Sequence, residues 1–356
     1  MSIKSKLEAA YEGFFDNVRA YSAKRTRIKQ FMKKTGRKVL SSQQIKEVKS
    51  FYKQYKMPNL VFHRFFTEKT GEFCVNYIPQ DIYVGYIDPY FNDLRAAKYM
   101  DNKCYYDMLF HQIPQPHLLL KRINNIWLDC CGKPVSDFEI REIISSEQDG
   151  LFLKEAQVSA GGQGVQFVEG EESYNKLMSF ANSTKTDIVV QRKLSQHADC
   201  AKFNSSSVNS LRIYSILKKD GTANIYSAVL RIGVGNAKVD NYASGGVSCG
   251  ITEDGSLRKY AYDKKGNRVE KHPTSGIVFE GCKIPSYDQA VKLVKMVHPT
   301  IPHFRSVSWD IAINEAGEPI LIEANLCRGG IDLLQLSNGP LFGDDAKEIL
   351  DEVFCK

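Results

Sequence analysis

The sequence predicts a mixed α+β fold, in which a helical N-terminal section precedes short strands that pair mainly antiparallel. In residues 1–60, apolar residues recur at spacings of three and four, which is typical of amphipathic helices. After residue 115 the chain changes to short apolar runs interrupted by glycine. Asp220-Gly221 lies between two alternating runs, which indicates a β-hairpin.

The composition is that of a globular protein, with 43% hydrophobic and 25% charged residues in a chain of 356. No run of about 18 apolar residues is present that would span a membrane, and no charged-then-apolar signal begins the chain. The nine cysteines are scattered and form no CxxC pair, which argues against a zinc site or a disulfide framework. These features predict a reduced, cytoplasmic protein.

The N-terminal section is strongly basic. Residues 1–56 contain fifteen Lys or Arg and four Asp or Glu, whereas the formal net charge of the chain is +7. The stretch KRTRIKQFMKKTGRK (24–38) can bind an anionic membrane surface or an acidic glycan, or it can be the solvated face of a helix. Nucleic acid is disfavoured because no aromatic base-stacking pattern accompanies the charges. The alternative location is therefore peripheral, at the inner membrane face.

The remaining elements follow in chain order. The stretch SSQQIKEVKSFYKQY (41–55) predicts a helix capped by Ser41 or Ser42, and residues 60–95 mix short apolar runs with glycine and proline. Helix is predicted again from Ala96. Strands are predicted at 116–129, 151–157, 164–170, 186–194 and 210–234, and a helix that proline ends at 286–302.

Three oxygen-bearing side chains interrupt two predicted strands in WDIAINEAGEPILIEANLCRGG (309–330). If residues 314–317 form the turn, Asp310 is the diagonal neighbour of Glu323, and Glu323 and Asn325 point to one sheet face. Close carboxylates repel each other unless a cation or proton intervenes, and oxygen ligands alone suit Mg²⁺. Taken alone, the pattern is explained more simply by a hairpin with one polar face in water.

A lysine and a glycine cluster occur together in LFLKEAQVSAGGQGVQF (151–167). Lys154 ends a short strand, and Gly161, Gly162 and Gly164 precede the next one. Backbone N–H groups of a glycine loop can approach phosphate closely, and the lysine would add a positive charge. An ordinary hairpin turn explains the pattern equally well.

The strand at 186–194 ends in residues that can bind a nucleoside. Gln191 can read an adenine amino group, the backbone around Lys193 and Leu194 can complete that contact, and Asp199 can reach a ribose hydroxyl. Arg212 and Arg231, on the strands of the following hairpin, can clamp a phosphoryl group or a substrate carboxylate. For each arginine alone, a surface or strand-edge role is the simpler interpretation. The loops VDNYASGGVSCGI (239–251) and KHPTSGIVFEGCKIP (271–285) can be lids or surface turns.

Together these features resemble the ATP-grasp superfamily. Two lysines, Lys103 and Lys154, are followed by Gln191 and then by the three candidate metal ligands. This order is that of D-alanine–D-alanine ligase. The spacing also matches, with thirteen residues from Asp310 to Glu323 and two more to Asn325. The stretches NSLRIYS, VDNYASGGVSCGI, HPTSGIVFEGCKIP and VSWDIAINEAGEPILIEAN are similar to sugar-transfer-associated ATP-grasp proteins. The resemblance covers about residues 100–340.

The resemblance implies two α+β lobes that grip ATP, after a mainly helical N-terminal region at 1–95. Residues 96–192 would form the central lobe with the Gly-rich loop, and residues 193–356 the C-terminal lobe with the metal site. By position, the implied ATP ligands are Lys103, Lys154, Gly161, Gly162, Gly164, Gln191, Lys193, Leu194 and Asp199. The implied metal ligands are Asp310, Glu323 and Asn325, and the implied catalytic residues are Arg212, Arg231 and Arg328.

The implied activity is that of an ADP-forming carboxylate–amine ligase, which makes an amide (C–N) bond through an acyl phosphate with ATP and Mg²⁺, or Mn²⁺ in its place. Its substrates would be small molecules or glycan precursors of surface polysaccharide. The alternatives are an ATP-grasp kinase acting on a hydroxyl, and a non-catalytic nucleotide- or glycan-binding protein. Two positions depart from the pattern: Gln191 replaces a frequent Glu, and Ser308 stands where some ligases have a substrate-binding arginine.

Overall fold

The computed structural model describes residues 39–157, 164–240, 245–327 and 329–355. The basic stretch 24–38 and the helix predicted before it lie outside these ranges. In the described ranges, no helix combines the length and the apolar character needed to cross a membrane.

Short helices fill the chain before the first strand. Ser41 caps the first of them as predicted: its Oγ accepts from the Gln44 N–H at 3.1 Å, and Gln44 Oε1 accepts from the Ser41 N–H at 2.8 Å. Much of residues 60–95 is helical, and the helix at 61–70 buries Phe62, Phe65 and Phe66 on one face. The helices are α1 Ser42–Tyr52, α2 Val61–Thr70, α3 Gln80–Ile82, a π-helical turn Tyr83–Ile87, α4 Asp88–Phe91, α5 Leu94–Met100, a 3₁₀ turn Lys103–Tyr105 and α6 Tyr106–Leu109.

A five-stranded antiparallel sheet with two helices follows. The elements are β1 Leu118–Ile123, β2 Ile126–Asp129, α7 Asp137–Ser145, β3 Leu151–Glu155, β4 Val165–Val168, α8 Ser173–Ser183 and β5 Ile188–Arg192. The order of the strands in the sheet is β2-β1-β5-β3-β4. The strand predicted at 116–129 is instead a hairpin, because Asn124 and Asn125 adopt φ of 49° and 67°, as a tight two-residue turn requires. Helices α7 and α8 pack on one sheet face in a shared apolar cluster.

A seven-stranded antiparallel sheet and further helices form the rest of the described chain. The elements are α9 Ala198–Ala201, β6 Ser210–Leu217, β7 Ala223–Ile232, β8 Val247–Ile251, β9 Leu257–Tyr262, β10 Arg268–Val269, α10 Tyr287–Val297, a 3₁₀ turn His298–Thr300, β11 Ser306–Ile313, β12 Pro319–Asn325, α11 Asp332–Asn338, a 3₁₀ turn Gly343–Asp345 and α12 Ala346–Phe354. The order of the strands in the sheet is β10-β9-β8-β7-β6-β11-β12. The predicted Asp220-Gly221 turn joins β6 to β7, and the predicted helix at 286–302 is α10; both predictions are confirmed.

The two faces of this sheet pack against different parts of the chain. One face packs with α10 around Trp309, and the other packs with α1, the helices at 80–91 and α12 around Tyr214 and Val229. The α+β class is thus confirmed.

Residues 102–106, here called the linking segment, contact both sheets. Asn102 Nδ2 donates to Asp187 Oδ2 at 3.1 Å, and the Lys103 N–H donates to the Ala156 carbonyl at 2.8 Å, both beside the five-stranded sheet. The Tyr106 hydroxyl donates to the carbonyl of Ala324 on β12 at 3.1 Å and accepts from its N–H at 3.2 Å. Lys103 is therefore held between the two sheets.

Candidate active site

The predicted metal residues lie at one end of the β11–β12 pair, but in a different register from the predicted one. Asp310 is directly opposite Glu323, and Ser308 is opposite Asn325. The prediction of a diagonal Asp310–Glu323 relation was wrong for two reasons. The turn is one residue longer than predicted, so Ile313 pairs with Pro319, and an irregularity after Asp310 leaves one extra residue on β12. The bulge brings the two acids closer along the strand direction.

Asp310 is buried and accepts three hydrogen bonds from two arginines. Arg212 donates from Nε to Oδ1 at 2.8 Å and from Nη2 to Oδ2 at 2.6 Å, and Arg231 Nη1 donates to Oδ2 at 2.8 Å. Burial alone would raise the pKa of the Asp310 carboxyl, but the two guanidinium groups outweigh it and hold that pKa below its usual value. Burial likewise opposes the charge on Arg212, and the Asp310 carboxylate overcomes it and raises the pKa of Arg212.

Arg231 also binds a second carboxylate, that of Asp240. Its Nη2 lies 3.1 Å from Asp240 Oδ1, and Asp240 Oδ2 accepts from the N–H of Ser210 at 3.0 Å and from the Ser210 hydroxyl. The sequence interpretation missed Asp240, although it selected the loop VDNYASGGVSCGI that contains it. The available signal was an acid immediately before a small-residue loop and two residues after a lysine.

The two predicted phosphate-binding lysines approach the same region from the five-stranded sheet and the linking segment. Lys103 Nζ donates to Glu323 Oε1 at 2.7 Å. Lys154 is half-buried and donates to Gln191 Oε1 at 2.8 Å, so two predicted ATP ligands contact each other directly. Burial, and then the positive charge of Lys103, lower the pKa of Lys154 to about 8.

Asp101 is a second acid that the sequence interpretation missed. Its Oδ1 is buried, and within the described chain it has no hydrogen-bond partner. Burial, and then the negative charge of Glu323, raise the pKa of Asp101 to about 7. This carboxyl group therefore lies close enough to the metal-type residues to be affected by their charge.

The other predicted nucleoside residues lie just beyond Gln191. The Lys193 N–H donates to the Gly150 carbonyl at 3.2 Å, and Leu194 is half-buried. Asp199 is exposed in α9, where its carboxylate contacts Lys202 Nζ at 3.2 Å. The structure thus places Lys193 and Leu194 at the end of β5, whereas the ion pair of Asp199 is with a neighbour in its own segment.

The glycine loop connects β3 and β4 as a hairpin. The Glu155 N–H donates to the Gly164 carbonyl at 2.8 Å, and Gly164 has φ of 76°. A Cβ at this position would lie 2.7 Å from Glu155 Cδ, so a side chain is excluded here. Gly161, Gly162 and Arg328 lie outside the described residues. So do Asn241 and Ser244, in the loop VDNYASGGVSCGI at 239–251.

The donor chemistry at the β11–β12 end fits Mg²⁺, which prefers carboxylate and amide oxygens. Within the described ranges, no group of three or more His, Cys, Asp or Glu side chains is arranged to hold a metal ion. The predicted ligand set has two acids and an amide. Both acids form ion pairs with cationic side chains: Glu323 with Lys103, and Asp310 with the two arginines. A metal ion would take the place of some of these contacts.

Two sheets with lysines, arginines and acids between them define the class as ATP-grasp, and a family model supports this assignment. The model, described as sugar-transfer associated ATP-grasp, matches residues 84–349. The chain belongs to this sugar-transfer associated ATP-grasp family. A search of curated proteins found no match.

Several solved structures are similar to the chain at low identity. The ADP complex of N5-carboxyaminoimidazole ribonucleotide synthetase shares 10% identity at a TM-score of 0.40, over 65% of this chain and 45% of that one. D-alanyl-alanine synthetase A from Vibrio cholerae O1 biovar eltor shares 14% identity at a TM-score of 0.43, over 72% of this chain and 66% of that one. D-cycloserine synthetase shares 12% identity at a TM-score of 0.43, over 73% of each chain. The chain spans about half the length of the first of these structures, and the family assignment rests on the family model.

Proposed function

We propose that this protein is an ATP- and Mg²⁺-dependent ligase that joins a carboxylate to an amine and releases ADP and phosphate. The observation that carries the proposal is the convergence of Lys103, Arg212 and Arg231 on Glu323 and Asp310. In a member of an ATP-grasp family, such a group of cations and acids suits the phosphates of ATP and the metal that accompanies them.

The chemistry has two steps. A substrate carboxylate oxygen attacks the γ-phosphorus of ATP, the bond to ADP breaks, and an acyl phosphate forms. The amine nitrogen then attacks the acyl carbon, phosphate leaves with the bonding electrons, and the nitrogen loses a proton. A free carboxylate is a poor electrophile, and phosphorylation gives it a good leaving group. No side-chain nucleophile is needed.

The chain's residues position and neutralise the reacting groups. Lys103 and Lys154 would bind the ATP phosphates beneath a loop that contains Gly161, Gly162 and Gly164. Arg212 and Arg231 would face the transferring phosphoryl group or the substrate carboxylate. The adenosine would be held by Gln191, Lys193, Leu194 and Asp199.

The metal would be held by Asp310, Glu323 and Asn325. Mg²⁺, when bound, neutralises phosphate charge during the transfer, and Mn²⁺ is the expected substitute. The Asn325 amide is already oriented, since its Nδ2 donates to the Ser308 carbonyl at 3.1 Å. Arg328, three residues after Asn325, would contact the acceptor.

The proposed substrates are an amino acid and a sugar acid or amino sugar, joined during surface polysaccharide synthesis. The support is the description of the family as sugar-transfer associated.

The lobes would span 96–192 and 193–356, with 1–95 as a separate region. Its basic stretch at 24–38 would bind an anionic membrane surface or acidic glycan, and so keep a cytoplasmic enzyme near the inner membrane face. If deletion of residues 1–38 leaves liposome binding unchanged, this last idea is discarded.

The test is a substrate screen read by mass spectrometry. Purified protein with ATP, Mg²⁺ and mixed amino acids and uronates is expected to release ADP and phosphate and to form an amide product. Release of AMP and pyrophosphate would exclude the acyl phosphate. A phosphorylated hydroxyl formed without an amine would instead establish a kinase, and nucleotide binding without turnover would establish a binding protein.

The metal assignment has its own variants. Asp310→Asn and Glu323→Gln are each expected to abolish turnover and to weaken Mn²⁺ binding in the presence of ADP. Full activity in both variants would refute the assignment.

A further inference from the structure

Four charged side chains form an alternating series, Arg212–Asp310–Arg231–Asp240, here called the charge chain. Asp310 lies between the two arginines, and Arg231 lies between the two acids. Its side chains are largely buried, with Asp310 3% and Arg231 11% exposed. The charge chain contains two arginines and two aspartates, so these four side chains together carry no net charge.

The two arginines are not equivalent. Arg231 divides its Nη atoms between Asp310 at 2.8 Å and Asp240 at 3.1 Å. Within the described residues, the ion pair of Arg212 is with Asp310. If Asp310 turned to another cation, Arg231 would keep a carboxylate partner, whereas Arg212 would lose its own.

Asp240 is itself firmly held. The N–H and the hydroxyl of Ser210 both donate to its Oδ2, which leaves Oδ1 directed at Arg231. Ser210 is directly opposite Arg231 across the β6–β7 pair, so the register of the sheet fixes this arrangement. Asp240 is thus a buried acid whose position does not depend on Asp310.

We infer that Asp240 is a positioning residue that holds Arg231 in place when Asp310 binds the metal ion, and that Arg212 is the arginine released to the phosphoryl group. The inference rests on the proposed function, because it requires Asp310 to be a metal ligand. Asp310 cannot give its oxygens to a metal while three N–H groups bind them. Asp240 lowers the cost of that exchange, since Arg231 then gives up one of two carboxylates and not its only one.

The test is a double-mutant cycle on Mn²⁺ affinity, measured by calorimetry with ADP present. The proteins are wild type, Asp240→Asn, Arg231→Gln and the double variant. Asp240→Asn is expected to weaken Mn²⁺ binding about tenfold, because Arg231 then has only Asp310 to bind. In the Arg231→Gln background, the same change is expected to have almost no effect. If the two effects simply add, Asp240 acts through its charge alone and the inference is overturned.

Two further variants separate the possible failures. Ser210→Ala removes a donor to Asp240 without a change of charge, and it is expected to weaken Mn²⁺ binding about two- to threefold, again only when Arg231 is present. If thermal unfolding shows that Asp240→Asn does not fold, Ser210→Ala replaces it in the double-mutant cycle. Asp240→Glu keeps the charge and is expected to restore part of the kcat lost in Asp240→Asn, with the KM for ATP little changed.

Asp310→Asn distinguishes this inference from the proposed function. If Asp310→Asn leaves Mn²⁺ affinity unchanged, the metal site itself is wrong and both proposals fail. If Asp310→Asn weakens Mn²⁺ binding and neither Asp240→Asn nor Ser210→Ala does so, only the role of Asp240 is refuted.

Discussion

Lys154 and Arg212 carry the same charge but lie in opposite electrostatic surroundings. Lys154 is half-buried with a neutral partner, Gln191, and with Lys103 nearby, so its pKa falls to about 8. Arg212 lies against the Asp310 carboxylate, which raises the pKa of the guanidinium. Among the described residues, the direct partner of Lys154 is thus neutral, whereas Arg212 is already paired with a carboxylate.

The difference separates two tasks that the proposed ATP site would perform. A lysine without a carboxylate partner gains most from the arrival of a phosphate, so in the proposed function Lys154 would govern how tightly a nucleotide binds. Arg212 would first have to exchange its carboxylate for the phosphoryl group, so it would govern whether the transfer step is reached.

The largest expected effect is loss of stability in Asp310→Asn. The substitution leaves the Arg212 guanidinium without its carboxylate and removes one of the two carboxylates that Arg231 contacts. Breaking a buried pair in this way costs about 3–5 kcal/mol. The free energy of unfolding is measured in urea. The control is Asp288→Asn, at an exposed pair with Lys292 at 3.2 Å, where little or no change is expected. Equal effects in the two variants would mean that Asp310 is not a neutralising residue.

Lys154→Met tests the opposite side. ADP affinity, measured by calorimetry, is expected to fall about 10- to 100-fold, since a hydrogen bond to a charged group contributes about 1.5–3 kcal/mol. Stability is not expected to fall, because the substitution removes a desolvated charge whose direct partner, Gln191, is neutral. Lys283→Met, at an exposed pair with Asp254, is the control and should leave ADP affinity unchanged. Strong destabilisation by Lys154→Met would remove the contrast between lysines and arginines.

Asp101→Asn is expected to change stability in a pH-dependent way. The pKa of Asp101 is raised to about 7 in the folded protein, whereas an unfolded Asp titrates near 4. Its contribution to stability is therefore present at about pH 4 and is lost as the pH rises through about 7. The variant should match wild type in thermal unfolding at about pH 4 and unfold at a higher temperature at about pH 8.

A control for this prediction lies six residues further along the chain, in α6. Asp107 pairs with Lys121 Nζ at 2.7 Å, so Asp107→Asn should lower stability at about pH 8 instead of raising it. The prediction for Asp101 is contradicted if both variants shift the unfolding temperature in the same direction.

The smallest expected effect is a shift in the pH dependence of nucleotide binding in Gln191→Glu. In wild type, Lys154 loses its proton as the pH rises through about 8, so ADP affinity should decline between about pH 7 and about pH 9. A glutamate in hydrogen-bond contact would raise the pKa of Lys154 and move the decline to higher pH, by less than about tenfold in affinity at any pH. Superimposable pH profiles for the two proteins would show that Lys154 does not bind the phosphate as a cation.

Much of the architecture could be predicted because its signals are local. The Ser41 cap, the Asp220-Gly221 hairpin and the helix at 287–297 each depend on neighbours within a few residues. The strand positions of Lys154 and Gln191 were also predictable, because each ends a short apolar run. Their direct contact was not, since it depends on the pairing of β3 with β5, which are 37 residues apart at these two positions.

The parts that were missed depend on structure distant in sequence. A turn one residue longer than predicted and the bulge after Asp310 together place Glu323 opposite Asp310. An alternating pattern of apolar residues does not reveal an extra residue in one strand. Asp240 is held by Ser210 on β6 and pairs with Arg231 on β7, and both residues are distant from it along the chain or separated from it by a loop. Asp101 resembles an ordinary helix-end acid until the fold buries it.

The linking segment also restricts how the two sheets can move. Its hydrogen bonds to Ala156 on one side and to Ala324 on the other would survive a rotation of one sheet against the other only if the axis passed close to Tyr106. During such a rotation, Lys103 and Glu323 would remain in contact. Nucleotide would then enter and leave from the side of the site opposite this axis, and variants of Tyr106 would change the exchange rate more than the equilibrium affinity.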